Sequence, residues 1–583
     1  MILPLLLFAV VAMAVPAKRQ WRSFTQPDGS QIKLMLVGDE SMHYYLTEDR
    51  VPVVQDNDSF CYAEAKGFAI RSTGVLAHEK KLRKDFENSC IASVNDIETM
   101  RQYAIKKGPK IKNPRLIGEE DHPSYKGKKK GLIILCNFTD KKFSEFSASD
   151  GGADTWEYYD QLANTKGYTN EDGAIGSVHD YFLDQSYNLF DLTFDVVGPI
   201  ELDNSSTYYG QDFNGEDLRV PAMIQEACEK VDDEVDFNDY DWDDDGEVEE
   251  VFVIYAGYGT ATGGSSSLIW PHMWTFEEAS QYTSYTGISE LPSFDGCTVN
   301  VYACSNECNG SWGSEKMGIG VICHEFSHCL GLPDMYDTGY HGSYGMDDWD
   351  LLDHGSYNGP KGIGWVPAGY TSYERNYAGW LRLTELKNDR LVLNQKPLNE
   401  RGNAYVMHND GYRDEYYLLE NRNQTRWDEY IPGSGLLIIY VDYDADIWAS
   451  NNVNTVGNTN DHPRMTPVRI GSRYSGSYTF PTDEVNSFSD DTTPSPELYH
   501  DNIDGTRRLN KAITNITRND EKNTITFLFT NNNSETSGIA YTEQDNDDSQ
   551  AEYYSLDGRQ VTKPTSGIYL KHTKNGTKKI LVR

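Results

Sequence analysis

The run HEFSHCLGLPDMYD, residues 324–337, restricts the fold of this chain more than any other segment. Residues four apart lie on one face of a helix, so His324 and His328 can direct both imidazoles at a single metal ion. Glu325 is then close enough to activate a zinc-bound water without itself being a ligand. The spacing therefore predicts a buried helix with a catalytic zinc site, in which Glu325 is the general base.

The third zinc ligand is predicted from the residues that follow the helix. Gly331 can adopt the left-handed conformation that ends a helix and turns the chain back below the metal. Asp334 has the spacing of the third ligand in metzincin proteases, and three ligands leave one position open for water. Asp337 is the alternative, although it could instead orient a ligand or cap the next turn. We expect Asp334 to be the ligand.

The length of 583 residues predicts several domains, because a single core rarely grows that large. The chain has 90 acidic and 52 basic residues and a net charge of -38, which would repel nucleic acid, so we expect no nucleic-acid partner. Residues 1–17 predict a signal peptide, with an apolar run from Ile2 to Val11 and an A-x-A cleavage pattern at Ala12 and Ala14. This predicts a secreted protein, extracellular or attached to the outer cell surface.

The pattern along the chain predicts a multidomain fold. Residues 18–125 contain short alternating strands and end in an exposed basic linker, which is either a site for a processing protease or a plain tether between domains. Strands and helices over 126–380 predict an α/β catalytic domain. Short strands over 381–532 predict a β-sandwich. Residues 533–583 predict a polar linker and a small C-terminal β domain of three or four strands.

A second metal site is predicted in a loop that alternates carboxylates around a glycine: Asp241, Asp243, Asp245 and Gly246. Such a loop can surround Ca²⁺ with oxygen ligands. Position twelve, where an EF-hand has glutamate, is Phe252, so Glu249 or Glu250 would have to complete the shell. The alternative is a solvated acidic turn. We expect a structural calcium ion.

Residues 324–337 strongly resemble the immune inhibitor A-like family of secreted metalloproteases, whose motif is HEFxHxLGLPDxYD. Other segments resemble the recurrent blocks of that family: GSVHDYFLDQSYNLFDL, VFVIYAGYG, IWPHMW, WDLLDHGSYN, YTSYERNYAGWL and EYYLLENRNQTRWDEYIPGSGLLIIYVD. The resemblance implies a metzincin-like endopeptidase with an N-terminal propeptide. Leu352 stands where the family has a methionine below the metal. A swap of similar volume usually costs less than ~1.5 kcal/mol, so we expect a competent site.

Two further expectations concern the oxyanion and the C-terminus. A group near the zinc should stabilise the oxyanion, and the candidates are Tyr357, His354 and His272. The final segment, YYSLDGRQVTKPTSGIYLKHTKNGTKKILVR, resembles the sorting domain of proteins exported by the type IX secretion system. That resemblance implies secretion machinery as a partner and anchoring at the cell surface.

The sequence thus predicts a secreted zinc endopeptidase, made as a zymogen, that hydrolyses extracellular proteins or peptides. The alternative is a non-catalytic cell-surface adhesin or glycan-binding protein built on a protease scaffold. Casein hydrolysis that a zinc chelator abolishes would distinguish the two.

Overall fold

The computed structural model describes residues 13–40, 42–66, 69–93, 125–144, 154–211, 217–313, 315–339, 345–457, 460–471, 476–532, 552–555, 558–562, 564, 567–573 and 576–582. The apolar run of the predicted signal peptide, most of the basic linker and the polar linker at 533–551 lie outside these residues. No helix in the described ranges is long and apolar enough to span a bilayer. Contacts group the described residues into two compact units: one within 1–115, 122–369 and 445–463, the other within 370–444 and 464–583.

The first unit begins with a six-stranded antiparallel sheet in which the strands follow chain order: β1 Trp21–Thr25, β2 Gln31–Gly38, β3 His43–Thr47, β4 Pro52–Asp56, β5 Ser59–Lys66 and β6 Ala69–Leu76. Burial alternates along β2, where Ile32, Leu34 and Leu36 face the core and their neighbours are more exposed. Helix α1, Asp85–Ser93, follows the sheet. The prediction of short alternating strands in this region is confirmed.

A second sheet of the first unit carries the site. The strands of this part of the chain are β7 Gly127–Asn137, β8 Phe190–Glu201, β9 Glu247–Val248, β10 Val251–Tyr258, β11 His272–Thr275, β12 Ser293–Phe294, β13 Cys297–Val299 and β14 Val301–Cys308. Five of them form one sheet in the order β11-β14-β10-β7-β8, while β12, β13 and β9 form a small one. Only β11 runs antiparallel to its neighbour in the large sheet, where it forms an edge.

The helices of this region are α2 Thr155–Asn164, α3 Val178–Gln185, α4 Ser206–Tyr209, α5 Val220–Val231, α6 Phe276–Ala279, α7 Thr283–Thr286 and α8 Gly320–Cys329. Short 3-10 turns lie at Lys80–Leu82, Phe237–Tyr240, Thr260–Thr262, Ser280–Tyr282, Asp347–Trp349, His354–Tyr357 and Pro360–Gly362. Helix α8 contains the predicted zinc array, and all its residues from Gly320 to His328 are buried. The helix predicted from the array is thus confirmed.

The second unit is built from strands β15 Thr384–Glu385, β16 Arg390–Gln395, β17 Tyr405–His408, β18 Glu415–Arg422, β19 Gly435–Asp442, β20 Met465–Pro467, β21 Thr479–Phe480, β22 Lys511–Asn519 and β23 Thr524–Asn531. It also contains helix α9, Ser372–Tyr377, and 3-10 turns at Leu398–Glu400 and Arg426–Asp428. Strands β15, β17, β18, β19, β20 and β21 form one sheet, and β16, β23 and β22 form another. Residues of both sheets, among them Tyr417 and Phe527, share one apolar core.

The C-terminal segment forms four short strands, β24 Glu552–Ser555, β25 Gln560–Val561, β26 Gly567–Thr573 and β27 Gly576–Val582. They pair in the order β25-β24-β26-β27. The strand count agrees with the prediction of three or four strands.

Residues 445–463, the return segment, group with the first unit although the chain on either side of them groups with the second. The segment begins with helix α10, Ala445–Ala449. The sequence predicts these residues to be part of the β-sandwich at 381–532. The predicted domain boundaries of the chain remain predictions.

All nine cysteines of the chain carry free thiols. Seven are buried, including Cys297, Cys304 and Cys308, which are close enough in sequence to predict local disulfide pairing but are unpaired in the structure. They fill apolar space, as expected for a small soft side chain.

The close approach of α8 to a neighbouring loop gives a test of the packing. A Cβ atom added at Gly320 would lie 1.8 Å from the backbone oxygen of Ser356. We therefore expect Gly320→Ala to destabilise the first unit by about 1–3 kcal/mol, because backbone would have to shift. Thermal unfolding would measure it. Gly457→Ala is the control, since no heavy atom lies within 4 Å of an added Cβ there. Equal melting temperatures for the two variants would contradict this packing.

Candidate metal centre and active site

The two histidines of α8 converge on one point. His324 Nε2 lies 3.2 Å from His328 Nε2, and both rings are buried. The Nδ1 atom of His324 lies 2.7 Å from the carbonyl oxygen of Leu351, and Nδ1 of His328 lies 2.7 Å from that of Leu332. Because a carbonyl only accepts, each Nδ1 carries the proton and each Nε2 presents a lone pair. The lone pairs of the two Nε2 atoms repel each other at this distance, and a metal ion bound by both would remove the repulsion.

Asp334 directs a carboxylate oxygen at the same point. Its Oδ1 lies 3.2 Å from His324 Nε2 and 3.4 Å from His328 Nε2, and it is buried without a hydrogen-bond donor. Burial raises the pKa of Asp334, while the positive charge that either histidine carries when protonated lowers that pKa below its usual range. Burial lowers the pKa of His324, which favours the neutral imidazole that metals bind.

The return segment fixes the orientation of Asp334. Asn451 Nδ2 donates to Asp334 Oδ2 at 2.7 Å, and Asn451 Oδ1 accepts from the backbone N of Asp334, also at 2.7 Å. Asn454 Nδ2 donates to the carbonyl of Met335 at 2.7 Å. These bonds leave Oδ1 of Asp334 for the metal, which is how an outer residue orients a ligand.

The three convergent atoms fit a zinc ion. Tetrahedral zinc with bonds of about 2.0–2.2 Å holds its ligand atoms roughly 3.3–3.6 Å apart. The observed separations are 3.2, 3.2 and 3.4 Å. Gly331, with φ of 87°, makes the left-handed turn that brings Asp334 back. Asp337 makes a different contact, since its Oδ1 accepts from the backbone N of Gly339 at 3.1 Å.

Leu352, which replaces the expected methionine, is fully buried. Its carbonyl accepts from Met335 N at 2.8 Å, and the carbonyl of the preceding Leu351 is the partner of His324. The turn that contains Leu352 therefore bonds both His324, on the helix, and the backbone next to Asp334. It orients the site through its backbone, which does not depend on the side chain at 352.

Residues 13–17, named here the covering segment, span the end of the predicted signal peptide and pass over the side chain of Glu325. Val15 N donates to Glu325 Oε1 at 2.9 Å. Met13 pairs with Met273 in antiparallel fashion along the edge strand β11, through backbone bonds of 2.9 and 2.6 Å. Burial raises the pKa of Glu325 well above its usual value. The segment thus occupies the position where an extended peptide would meet Glu325.

Side chains of the first unit hold three consecutive carbonyl groups of the covering segment. Tyr336 OH donates to Ala14 O at 2.7 Å, Trp270 Nε1 to Val15 O at 3.0 Å, and Tyr357 OH to Pro16 O at 2.9 Å. All three donors are buried. The segment is therefore held along its whole backbone, independently of its side chains.

The three candidates for the oxyanion have different surroundings. The hydroxyl of Tyr357 donates to the carbonyl of Pro16, the residue after the Val15 whose N–H bonds Glu325. His354 Nδ1 lies 2.7 Å from Asp353 Oδ1, and burial lowers the pKa of His354 to about 3. His272 Nδ1 lies 2.6 Å from Trp270 O, and burial lowers the pKa of His272 to about 4.

The acidic loop brings together three of its four predicted ligands. Oxygens of Asp241, Asp243 and Glu249 lie within 4.8 Å of one another. Asp245 Oδ1 instead accepts from Glu247 N at 2.9 Å. Burial, followed by the charges of Asp243 and Asp241, raises the pKa of Glu249 to about 8. A bound cation would offset this repulsion.

Comparison with known proteins identifies a family that resembles the part of the chain that contains the metal site. Residues 121–381 match the model of the immune inhibitor A peptidase M6 catalytic domain. The chain contains a peptidase M6 catalytic domain. It is 25% identical over 249 residues to the pre-pro-metalloprotease PrtV of Vibrio cholerae serotype O1, an alignment that covers 38% of this chain and 25% of PrtV. It is 24% identical over 306 residues to immune inhibitor A of Bacillus thuringiensis subsp. alesti, which covers 45% of this chain and 42% of that protein.

The chain thus spans well under half of the length of the curated relatives that it matches. The matched M6 region contains α8, Asp334 and Leu352, but neither the covering segment nor the return segment. The family resemblance drawn from residues 324–337 is confirmed, and the family implies a metal ion at the His-Glu-His group.

Asn451 gives the first test of the ligand geometry. We expect Asn451→Ala to weaken zinc binding by about 10–100-fold, because Asp334 loses both bonds that orient it. Competition with a chromogenic chelator would measure the affinity. The matched control is Asn452→Ala, since the Asn452 side chain bonds Ser450 and not Asp334. Unchanged affinity in Asn451→Ala would refute the positioning role of this residue.

Proposed function

We propose that this protein is a secreted zinc-dependent endopeptidase made as a zymogen. The observation that carries the proposal is the convergence of His324 Nε2, His328 Nε2 and Asp334 Oδ1, with Glu325 beside them and bonded to a peptide N–H. The M6 domain supports the same reaction, because the relatives that match it include a protein named as a metalloprotease.

The proposed chemistry assigns one task to each residue. His324, His328 and Asp334 hold a zinc ion, which when bound polarises the scissile carbonyl and makes water more acidic. Glu325 takes a proton from the attacking water and transfers it to the leaving amine. The contact between Glu325 Oε1 and Val15 N supports the second transfer, since an amide nitrogen of a bound chain lies within 2.9 Å of the carboxylate.

Latency is proposed to arise from the part of the covering segment that begins at Val15, because the predicted signal peptide is cleaved behind the A-x-A pattern of Ala12 and Ala14. A peptide bound to the edge strand β11 gains backbone bonds whatever its sequence, which suits a peptidase that cleaves extended protein segments. Val15 blocks Glu325, while Met13, which pairs with β11, is removed with the predicted signal peptide. Cleavage in the basic linker between the N-terminal sheet and β7 would then permit release.

The finer architecture and the route of export belong to the same proposal. The parallel sheet with an antiparallel edge strand and the buried α8 support a metzincin-like catalytic domain. The shared core of the two sheets in the second unit supports a β-sandwich. The A-x-A pattern and the C-terminal β-strands support export, with proteins as substrates and attachment to the cell surface through the C-terminal domain.

Glu325 gives the direct test of the reaction. We expect Glu325→Gln to lower casein hydrolysis by the processed protein about 10²–10⁴-fold, because the amide cannot accept the proton of water. A chelator should abolish the wild-type activity. Zinc content, measured on the same samples, should be unchanged in the variant. Processed wild-type protein without chelator-sensitive hydrolysis would favour the non-catalytic adhesin.

We also propose a structural calcium ion at Asp241, Asp243 and Glu249, supported by their proximity and by the raised pKa of Glu249.

Calcium at a hundredfold excess over its dissociation constant should stabilise the fold by about 2.7 kcal/mol. Thermal unfolding with calcium and with a calcium chelator would measure this. Asp243→Asn should remove the difference and the exposed control Asp233→Asn should keep it. Identical melting temperatures with and without calcium in the wild type would contradict the calcium site and favour the alternative, a solvated acidic turn.

A further inference from the structure

Removal of the predicted signal peptide leaves Val15 fixed in place. The A-x-A pattern ends at Ala14, so cleavage there makes Val15 the first residue and takes away Met13, which pairs with β11. Four backbone bonds lie on the side that is kept: Trp270 Nε1 to Val15 O at 3.0 Å, Tyr357 OH to Pro16 O at 2.9 Å, Ala17 N to Gly38 O at 2.8 Å and Lys18 N to Ala261 O at 3.0 Å. The position of Val15 therefore depends on bonds that survive the cleavage.

The side chains of the retained residues hold the same position. Val15 is fully buried and packs in one apolar cluster with Trp270 and Val321. Arg19, four residues further on, has its guanidinium 3.2 Å from Asp347 Oδ1. The secreted chain would thus begin at a buried residue. Chain ends usually lie in solvent, and a buried charge needs a partner of opposite charge.

Cleavage changes the chemistry of the Val15 nitrogen. As an amide it has one N–H and no charge, and it already lies 2.9 Å from Glu325 Oε1. As a chain terminus it is an α-ammonium group at neutral pH, with a positive charge and three N–H donors. The same nitrogen can then form a charge-assisted hydrogen bond, which is stronger than a bond from an amide.

Glu325 has the acceptors and the surroundings that suit a cation. Its Oε2 atom is buried and has no hydrogen-bond partner among the described residues. The carboxyl groups of Asp334, Glu40 and Glu250 act on Glu325 with the same sign of charge. An ammonium group at the position of the Val15 nitrogen would offset this negative charge.

We propose that the α-amino group of Val15, freed when the signal peptide is removed during export, forms an ion pair with Glu325 and keeps the zymogen latent. This inference rests on the proposed peptidase function and deepens it by naming the group that occupies the general base. A carboxylate held in an ion pair is not available to take a proton from water. Export itself would then complete the inhibition.

The step that creates the ion pair is a hydrolysis by the peptidase that removes signal peptides. One water is added across the Ala14–Val15 bond, and the C–N bond breaks. The hydroxyl of water joins the carbonyl carbon of Ala14, and one hydrogen joins the nitrogen of Val15. The new carboxylic acid then gives up its proton and the new amine takes one up, so that the products are a carboxylate and an ammonium group.

A segment that begins at Glu325 also resists the enzyme that it inhibits. After cleavage no peptide bond precedes the Val15 nitrogen, so the cleft holds the amine end of a chain, as it would after a completed hydrolysis. An inhibitory segment that continued past Glu325 would carry a peptide bond at that point. Release then requires a cut elsewhere, which the basic linker provides.

The experiment combines two first residues with two side chains at position 325. Full-length zymogens that begin at Val15, or one residue earlier at Ala14, are released from a fusion partner, each with Glu325 or with Glu325→Gln. In the chains that begin at Ala14, the Val15 nitrogen remains an uncharged amide. Binding of a peptide hydroxamate, which ligates zinc, reports access to the site, and thermal unfolding reports stability.

With Glu325, the zymogen that begins at Val15 should bind the hydroxamate about 10–100-fold more weakly than the one that begins at Ala14, and should melt at a higher temperature. With Glu325→Gln, the two first residues should give affinities within about twofold of each other. Equal affinities of the two Glu325 zymogens overturn the proposal, as does a difference of the same size in Glu325→Gln.

Mass spectrometry of the naturally secreted zymogen tests the premise. We expect Val15 as the first residue, and a secreted chain that begins elsewhere, such as at Lys18, overturns the proposal. If protein cut in the basic linker shows neither hydroxamate binding nor chelator-sensitive hydrolysis, the proposed peptidase function fails. The melting temperatures of the four zymogens test the ion pair without activity, so the two failures are distinguishable.

Discussion

The first unit depends on one electrostatic constraint: two imidazole lone pairs and one carboxylate oxygen point at a common buried position. His324 Nε2, His328 Nε2 and Asp334 Oδ1 are 3.2–3.4 Å apart and out of contact with bulk water. Without a cation, this arrangement would bury a charge and leave acceptors unpaired, which costs several kcal/mol. Much of the surrounding structure serves to orient these three groups, through the carbonyls of Leu351 and Leu332 and the amide of Asn451.

The covering segment adds a second level of organisation. Its backbone bonds to β11, Glu325, Tyr336, Trp270 and Tyr357. Because these bonds involve only the backbone of the segment, a short stretch with small side chains is held over Glu325.

Sequence reasoning predicted the parts that local chemistry determines. The positions of α8 and β10, the left-handed Gly331 and the proximity of Asp334 to both histidines follow from periodicity and spacing. The contacts made over long sequence distances were missed. Asn451 is 117 residues from Asp334, and Val15 is 310 residues from Glu325, so no local pattern connects them. In the acidic loop, the spacing did not predict that Asp245 would bond Glu247 N.

The most direct test of the metal centre is the metal content of the purified full chain, combined with X-ray absorption at the zinc edge. We predict one zinc per chain, bound by two nitrogens and one protein oxygen at about 2.0–2.2 Å, and lost in Asp334→Ala. A chain without any transition metal, or a zinc ion that persists with an unchanged spectrum in Asp334→Ala, would contradict it.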